Sequence, residues 1–145
     1  MIVAALLLTV ATMQSPDKSA TSVRVFVFTA TAASGQHTPE EEERLEAVGD
    51  MREALAKKKG ITLVDSPADA NVTMEVTGRE AREEPTGGFG GKSMTHMGDM
   101  IIRLKLKMGD DESELKGMAQ GTWGRAAKDA ADRFMKWIAR REPKR

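Results

Sequence analysis

The segment at residues 100–108, MIIRLKLKM, constrains the fold of this chain more than any other stretch. Apolar residues occupy its even positions, and basic residues occupy positions 103, 105 and 107. This alternation predicts a strand with one buried and one solvent-facing side, as antiparallel sheets provide. The other elements must therefore cover the apolar side of this strand or lie beside it.

Further strands are predicted at residues 23–30, 61–64, 72–77 and 113–121, and helices at 39–59 and 125–141. The first helix opens with a capping box of Thr38 and Glu41 around Pro39. Gly60 is expected to end it in the left-handed C′ position. Its buried stripe is predicted to comprise Leu45, Val48, Met51 and Leu55, with Ala47 and Ala54 beside it.

The order β-α-β-β-β-β-α predicts an α+β fold. We expect a two-layer sandwich in which one mostly antiparallel sheet of about five strands carries both helices on one face. The last two strands should form a hairpin with a turn at 109–112. Side-chain parity then predicts that Leu106 pairs with Leu115 on the buried side and Lys107 with Glu114 on the wet side.

Length and composition limit the class of protein. The chain has 145 residues, 22 basic and 22 acidic side chains, and no cysteine. One domain is expected, at residues 23–141, followed by a short tail at 142–145. Balanced charge argues against a nucleic-acid partner, and the lack of cysteine excludes disulfides and thiolate chemistry within the chain.

The first residues indicate export. Residues 2–13, IVAALLLTVATM, form an uncharged apolar run. The run is too short for a stable membrane span and has the length of a signal-peptide core. We therefore predict a signal peptide at 1–13, a polar linker at 14–22, and a periplasmic or secreted location.

A glycine-rich loop is predicted at residues 86–98, TGGFGGKSMTHMG. Phe89 is flanked by two glycine pairs, and it and Lys92 are the candidate partner-binding residues, since an aromatic side chain on a loop suits a partner's pocket. The same loop carries Met94, His96 and Met97. Thioether and imidazole groups are the ligands that Cu(I) prefers, so these three residues, with Met100, form a weak candidate copper site.

The sequence contains no recognisable set of catalytic residues. His37 and His96 are the only histidines, both in predicted loops, and no serine, histidine and acid set has a recognisable spacing. The expectation is that the chain is not an enzyme and needs no cofactor.

Three segments together resemble a group of periplasmic α+β domains. These are residues 23–28 before a capped helix, the ADANV step at 68–72 before a strand, and the final helix from AAKDAA at 126–131 to Trp137 and Ile138. The group includes the N-terminal domain of TolB, the curli secretion protein CsgG and the penicillin-binding-protein activator LpoB. It has an aromatic residue at the position of Asn71. The resemblance implies a non-enzymatic envelope domain that binds a protein partner, and no functional residue is carried over from it.

The expected function is that of an exported cell-envelope binding or accessory domain that acts by protein–protein contact. The alternative is a periplasmic copper-binding protein that uses the loop at residues 94–100.

Export can be tested directly on the protein from its host. The apolar run at 2–13 predicts cleavage, so mass spectrometry of the mature protein should place its N-terminus between about residues 12 and 22. A protein that still begins at Met1 and remains in the cytosol would contradict this prediction.

Overall fold

The computed structural model describes residues 22–31, 35, 37–82 and 98–141. The predicted signal peptide, nearly all of the linker and the C-terminal tail lie outside these residues. So does most of the predicted glycine-rich loop. Apart from Ser22, all described residues lie within the predicted domain span of 23–141.

Five strands and two helices make up the described chain. In chain order they are β1 (Val23–Phe28), α1 (Pro39–Ala56), β2 (Ile61–Leu63), β3 (Val72–Arg82), β4 (Asp99–Met108), β5 (Asp111–Gln120) and α2 (Trp123–Ala139). The predicted α+β order is confirmed. The strands form one sheet in the order β2-β1-β3-β4-β5. The sheet is mixed: β1 runs parallel to β2 and β3, while β3, β4 and β5 are antiparallel.

Both helices pack on the same side of the sheet, which we call the helix side; the other side is the open face. The even-numbered apolar residues of β4 lie on the helix side, as their alternation predicts. The core between the layers is built mainly from aliphatic and small side chains: Val25, Val27, Met51, Leu55, Val72, Met74, Val76, Ile102, Leu104, Leu106, Ala127, Ala130, Phe134 and Ile138.

Helix α1 begins as predicted but ends earlier. Thr38 caps the helix, and its side chain and that of Glu41 form the reciprocal capping box. The helix stops at Ala56, so Gly60 is not its C′ residue; Gly60 has φ +80 and its carbonyl accepts a hydrogen bond from the Val23 amide. The prediction of a buried Leu45 is wrong, since this residue is 41% exposed. Leu45 lies two residues before buried Ala47, about 200° around the helix.

The hairpin of β4 and β5 has the predicted faces but a different register. Leu106 pairs with Ser113, and Lys105 pairs with Glu114, two residues from the predicted pairing. The reason is the turn, which contains only Gly109 and Asp110 between the paired residues Met108 and Asp111. Gly109 has φ +61 and Asp110 does not have positive φ, the pattern of a type II′ turn, which matches the twist of the strands. The alternation of side chains between the two faces cannot distinguish registers that differ by two residues, because both place the same residues on the buried face.

Helix α2 lies directly on β5 at Gly117. A methyl group at Gly117 would overlap the carbonyl oxygen of Ala126 and would come 2.6 Å from the backbone nitrogen of Ala130. The helix starts at Trp123, two residues earlier than predicted, because Thr122 caps it by accepting a hydrogen bond from the Arg125 amide. Gly117 therefore sets how closely the two layers approach.

The close approach predicts a large cost for Gly117→Ala. Because the atoms in the way belong to the α2 backbone, the helix must shift, and we expect a loss of about 1–3 kcal/mol in the free energy of unfolding. Chemical denaturation would measure it. Gly49→Ala in α1 is the matched control, since a Cβ there meets nothing within 4 Å. It should stabilise the protein by about 0.5–1 kcal/mol through helix propensity. Equal effects of the two substitutions would contradict the packing argument.

Candidate functional site

The site residues expected from the sequence are not brought together in the described chain. Phe89, Lys92, Met94, His96 and Met97 all lie outside the described residues, so neither the partner-binding nor the copper prediction is tested. Met100, the third thioether of the candidate copper site, is partly buried against the core and pairs with Ala119 of β5.

The basic residues of β4 have acidic neighbours on the open face. Arg103 Nε donates to Glu80 Oε1 on β3 at 2.8 Å, and Lys105 lies 3.4 Å from Glu112 on β5. The hydrogen bond from Arg103 lowers the pKa of the Glu80 carboxyl group. The alternation in β4 therefore forms a solvated charge ladder along the open face, and each of these pairs is worth little by itself.

A stacked aromatic pair also lies on the open face. The rings of Phe26 and Phe28 on β1 are 5.4 Å apart with an angle of 12° between their planes, and both are partly exposed. β1 lies between β2 and β3, and its open face can be apolar because the two stacked rings partly cover each other. Ile101, on the same face, is buried.

A β-bulge in β3 reverses which residues face the helices. Val76 pairs with Leu104 and Gly78 pairs with Arg103, which leaves Thr77 as the extra residue. Before the bulge the even positions of β3 face the helix side, and after it the odd positions do. The bulge therefore places Arg79 opposite Ile102, on the helix side.

Arg79 is the principal charged group on the helix side. Its side chain is 10% exposed and forms ion pairs with Glu46 and, at 3.5 Å, with Asp50, both on α1. Its guanidinium carbon lies 4.1 Å from the centre of the Trp123 ring at the start of α2. Its Nε is buried and has no hydrogen-bond partner in the described chain. Arg79 thus ties β3 to both helices and has a structural role.

An ion pair also connects the end of α1 to α2. Lys58, just after α1, donates a hydrogen bond to Asp132 of α2. This bond lowers the pKa of the Asp132 carboxyl group. Asp132 therefore pairs with Lys58 and not with Lys136, which lies four residues further along α2.

A recess on the described surface borders β5 and α2. β5 is the last strand of the sheet, and no described strand lies on its outer edge. A groove of about 590 Å³ follows this edge, and its lining includes Glu114, Leu115 and Lys116 of β5. On the other side the groove is lined by α2 and the residue after it, namely Asp129, Asp132, Arg133, Lys136, Trp137 and Arg140. We call this recess the β5–α2 groove.

Among the described residues, a side chain of α2 bonds the backbone edge of β5 at one end. The Met118 amide donates a 2.9 Å hydrogen bond to Asp129 Oδ2, which also accepts from Arg133 at 2.8 Å. Since successive amides of a strand point to opposite sides, those of Glu112, Glu114 and Lys116 point outward like that of Met118. A row of outward amides therefore follows the β5–α2 groove.

Trp137 forms the apolar part of the groove. It is 9% exposed, stacks on Phe134 with ring centres 5.9 Å apart, and lies beneath the Arg141 guanidinium. Its Nε1 is buried and lacks a hydrogen-bond partner in the described chain. Leaving such a donor unpaired costs about 1–3 kcal/mol.

Neither the groove nor Arg79 was identified from the sequence. Gly78 within a charged strand was the available signal for the bulge, since glycine inside a strand often marks one. The groove had no local signal, because its two walls are separated in sequence and meet only in the folded domain.

The described residues offer neither a metal cluster nor a membrane-spanning helix. No group of three or more His, Cys, Asp or Glu side chains is placed to hold a metal ion there. Within the same residues, neither helix has the length and apolar character required to cross a membrane.

Comparisons with known proteins give likenesses of fold only. No protein-family model matches the chain, and no curated protein matches it. Uncharacterized lipoprotein B from Nitrosomonas europaea is similar in structure, with a TM-score of 0.48 and 8% identity over 81% of this chain and 82% of that one. A candidate lipoprotein from Caulobacter crescentus has a TM-score of 0.37 and 16% identity over 83% of this chain and 93% of its own. These values carry no information about function, and the resemblance to the TolB, CsgG and LpoB group stays a prediction.

The structural role of Arg79 predicts a stability effect. Arg79→Met removes both ion pairs and the stacking on Trp123, and we expect a loss of about 1–3 kcal/mol in the free energy of unfolding, measured by denaturant. Arg82→Met is the control from the same strand, because Arg82 is exposed. It should change stability by less than about 0.5 kcal/mol. A similarly small change for Arg79→Met would show that the cluster does not hold the helices.

Proposed function

We propose that this chain is an exported domain of the cell envelope that acts by binding a protein partner, with no catalytic role. The domain spans residues 23–141, and the partner binds at the β5–α2 groove. The apolar run at residues 2–13 supports export. Two properties of the groove support binding, namely its free strand edge and its helical wall.

The free edge of β5 carries the proposal. An outer strand with unpaired backbone groups is a template on which another strand can add, so proteins usually shorten or cover such edges. β5 is ten residues long, and among the described residues only the Met118 amide is closed by a side chain. The outward amides of Glu112, Glu114 and Lys116 remain available for main-chain hydrogen bonds.

The second wall makes the edge a specific surface. Trp137 supplies an apolar contact, and Lys136 and Arg140 supply positive charge that no ion pair neutralises within the described chain. Main-chain bonds give affinity in strand addition, while side-chain contacts in the adjoining groove give specificity. The β5–α2 groove offers both kinds of contact.

Site-specific crosslinking in the host tests this function. A photoreactive amino acid at Lys116 should crosslink the domain to a discrete envelope protein. The same group at Glu53 should not, because Glu53 is exposed on α1, away from the groove. Photolysis of intact cells followed by immunoblotting and mass spectrometry would identify the products.

A blocking substitution completes the experiment. Glu114→Pro removes one outward amide from an edge strand, where proline is tolerated, and should abolish the crosslink from position 116. Circular dichroism must show that this variant is folded. Identical products from positions 116 and 53, or no product from 116 in a correctly exported protein, would contradict the proposed function.

A further inference from the structure

The charges along β5 and the position of α2 together limit what can occupy the β5–α2 groove. From the structure we infer that the occupant is a single extended peptide segment of the partner, with no helix above it. This segment adds antiparallel to β5 and carries an acidic residue opposite Lys116 and basic residues opposite Glu114 and Glu112. The inference rests on the proposed function, since it names the chemistry of the partner.

Helix α2 excludes β5 of a second copy. Because α2 lies directly on β5 at Gly117, two copies joined edge to edge would each bring a helix above strands about 4.8 Å apart. Packed helices need about 8–10 Å between their axes. A lone extended segment has no such helix and fits beside β5 without this clash.

The open-face side chains of β5 define the charges of the occupant. Glu112, Glu114 and Lys116 share that face, and all three are exposed. Among the described residues Glu114 and Lys116 form no ion pair, whereas Glu112 also lies 3.4 Å from Lys105 of β4. Residues directly opposite across an antiparallel pair have Cβ atoms about 4.5–5.5 Å apart, so opposite charges attract and like charges destabilise the pair. From its N-terminus, an antiparallel segment must therefore place an acidic residue opposite Lys116, a basic residue opposite Glu114 and a basic residue opposite Glu112.

The length of the free edge sets the length of the segment. Asp129 closes the Met118 amide, and Arg141 binds Asp111 and donates to Ser113 Oγ at 3.2 Å near the other end. Strand addition is therefore centred on residues 112–116. On the helix side the residue of the segment opposite Leu115 meets Leu115 and Trp137, where an apolar residue fits best. Lys136 and Arg140 lie in the same wall, so a basic residue is disfavoured on that side of the segment.

A designed peptide tests the inference on the purified domain. The capped peptide TEVKTKT has the inferred pattern, and TKVETET is its charge-reversed control. In NMR titrations we expect TEVKTKT to shift the amides of residues 112–116 and to bind at least about five-fold more tightly than TKVETET, because its cross-strand charge pairs are all favourable. TEVKTKT and TKVETET differ in net charge, so TKVETKT is a second control: it has the composition of TEVKTKT but places a basic residue opposite Lys116 and an acidic residue opposite Glu114. Weaker binding of TKVETKT than of TEVKTKT separates cross-strand pairing from general attraction.

A charge exchange in β5 should reverse the preference. In the variant Glu112→Lys, Glu114→Lys, Lys116→Glu, TKVETET should bind more tightly than TEVKTKT, since the cross-strand pairs are exchanged. These side chains are exposed, so the variant should fold, which its amide spectrum would verify. Equal affinities for both peptides, shifts outside the groove, or a dimer of the domain at NMR concentrations would each overturn the inference.

The two proposals fail in different ways. Crosslinking from position 116 to an envelope protein together with no charge preference would retain the proposed function and reject this partner chemistry. Charge-selective peptide binding without any crosslinked envelope protein would retain the chemistry and reject the envelope function.

Discussion

The close contact of α2 with β5 at Gly117 controls the rest of this structure. It sets the separation of the two layers, and with it the depth at which Phe134 and Trp137 are buried. It also places α2 above β5, the last strand of the sheet, and not above the central strand β3. The consequence at the surface is the β5–α2 groove, bounded by a free strand edge on one side and a helix flank on the other.

The bulge at Thr77 shows how one extra residue redistributes charge between the two faces. Without it, Arg79 would lie on the open face with the other charged residues of the ladder. With it, Arg79 is drawn between α1 and Trp123, where its ion pairs and its stacking fix both helices to the central strand. An arginine suits this position because its planar guanidinium can bind carboxylates and stack on a ring at once.

The two surfaces without a helix differ in what they offer. On the open face several charges of β3 and β4 are paired, as Arg103 with Glu80 and Lys105 with Glu112 show, while Glu114 and Lys116 of β5 form no ion pair among the described residues. The outer edge of β5 instead presents backbone donors and acceptors, and among the described residues only the Met118 amide is bonded by a side chain, that of Asp129. This difference is why the edge, and not the open face, is the surface assigned to a partner.

The sequence by itself determined the local structure of this protein. Alternation in β4 and the capping box at Thr38 predicted these elements and the buried side of the sheet, because each depends on residues close together in the chain. Tertiary structure decided the hairpin register, the inward turn of Arg79 and the groove. The hairpin register depended on a turn two residues shorter than the sequence suggested. The orientation of Arg79 depended on the bulge at Thr77 in β3. The groove depended on the position of α2 over β5. The groove depends on contacts between distant segments, which no local pattern records. The turn and the bulge had local signals in Gly109 and Gly78, but the alternation of apolar residues alone does not fix either position.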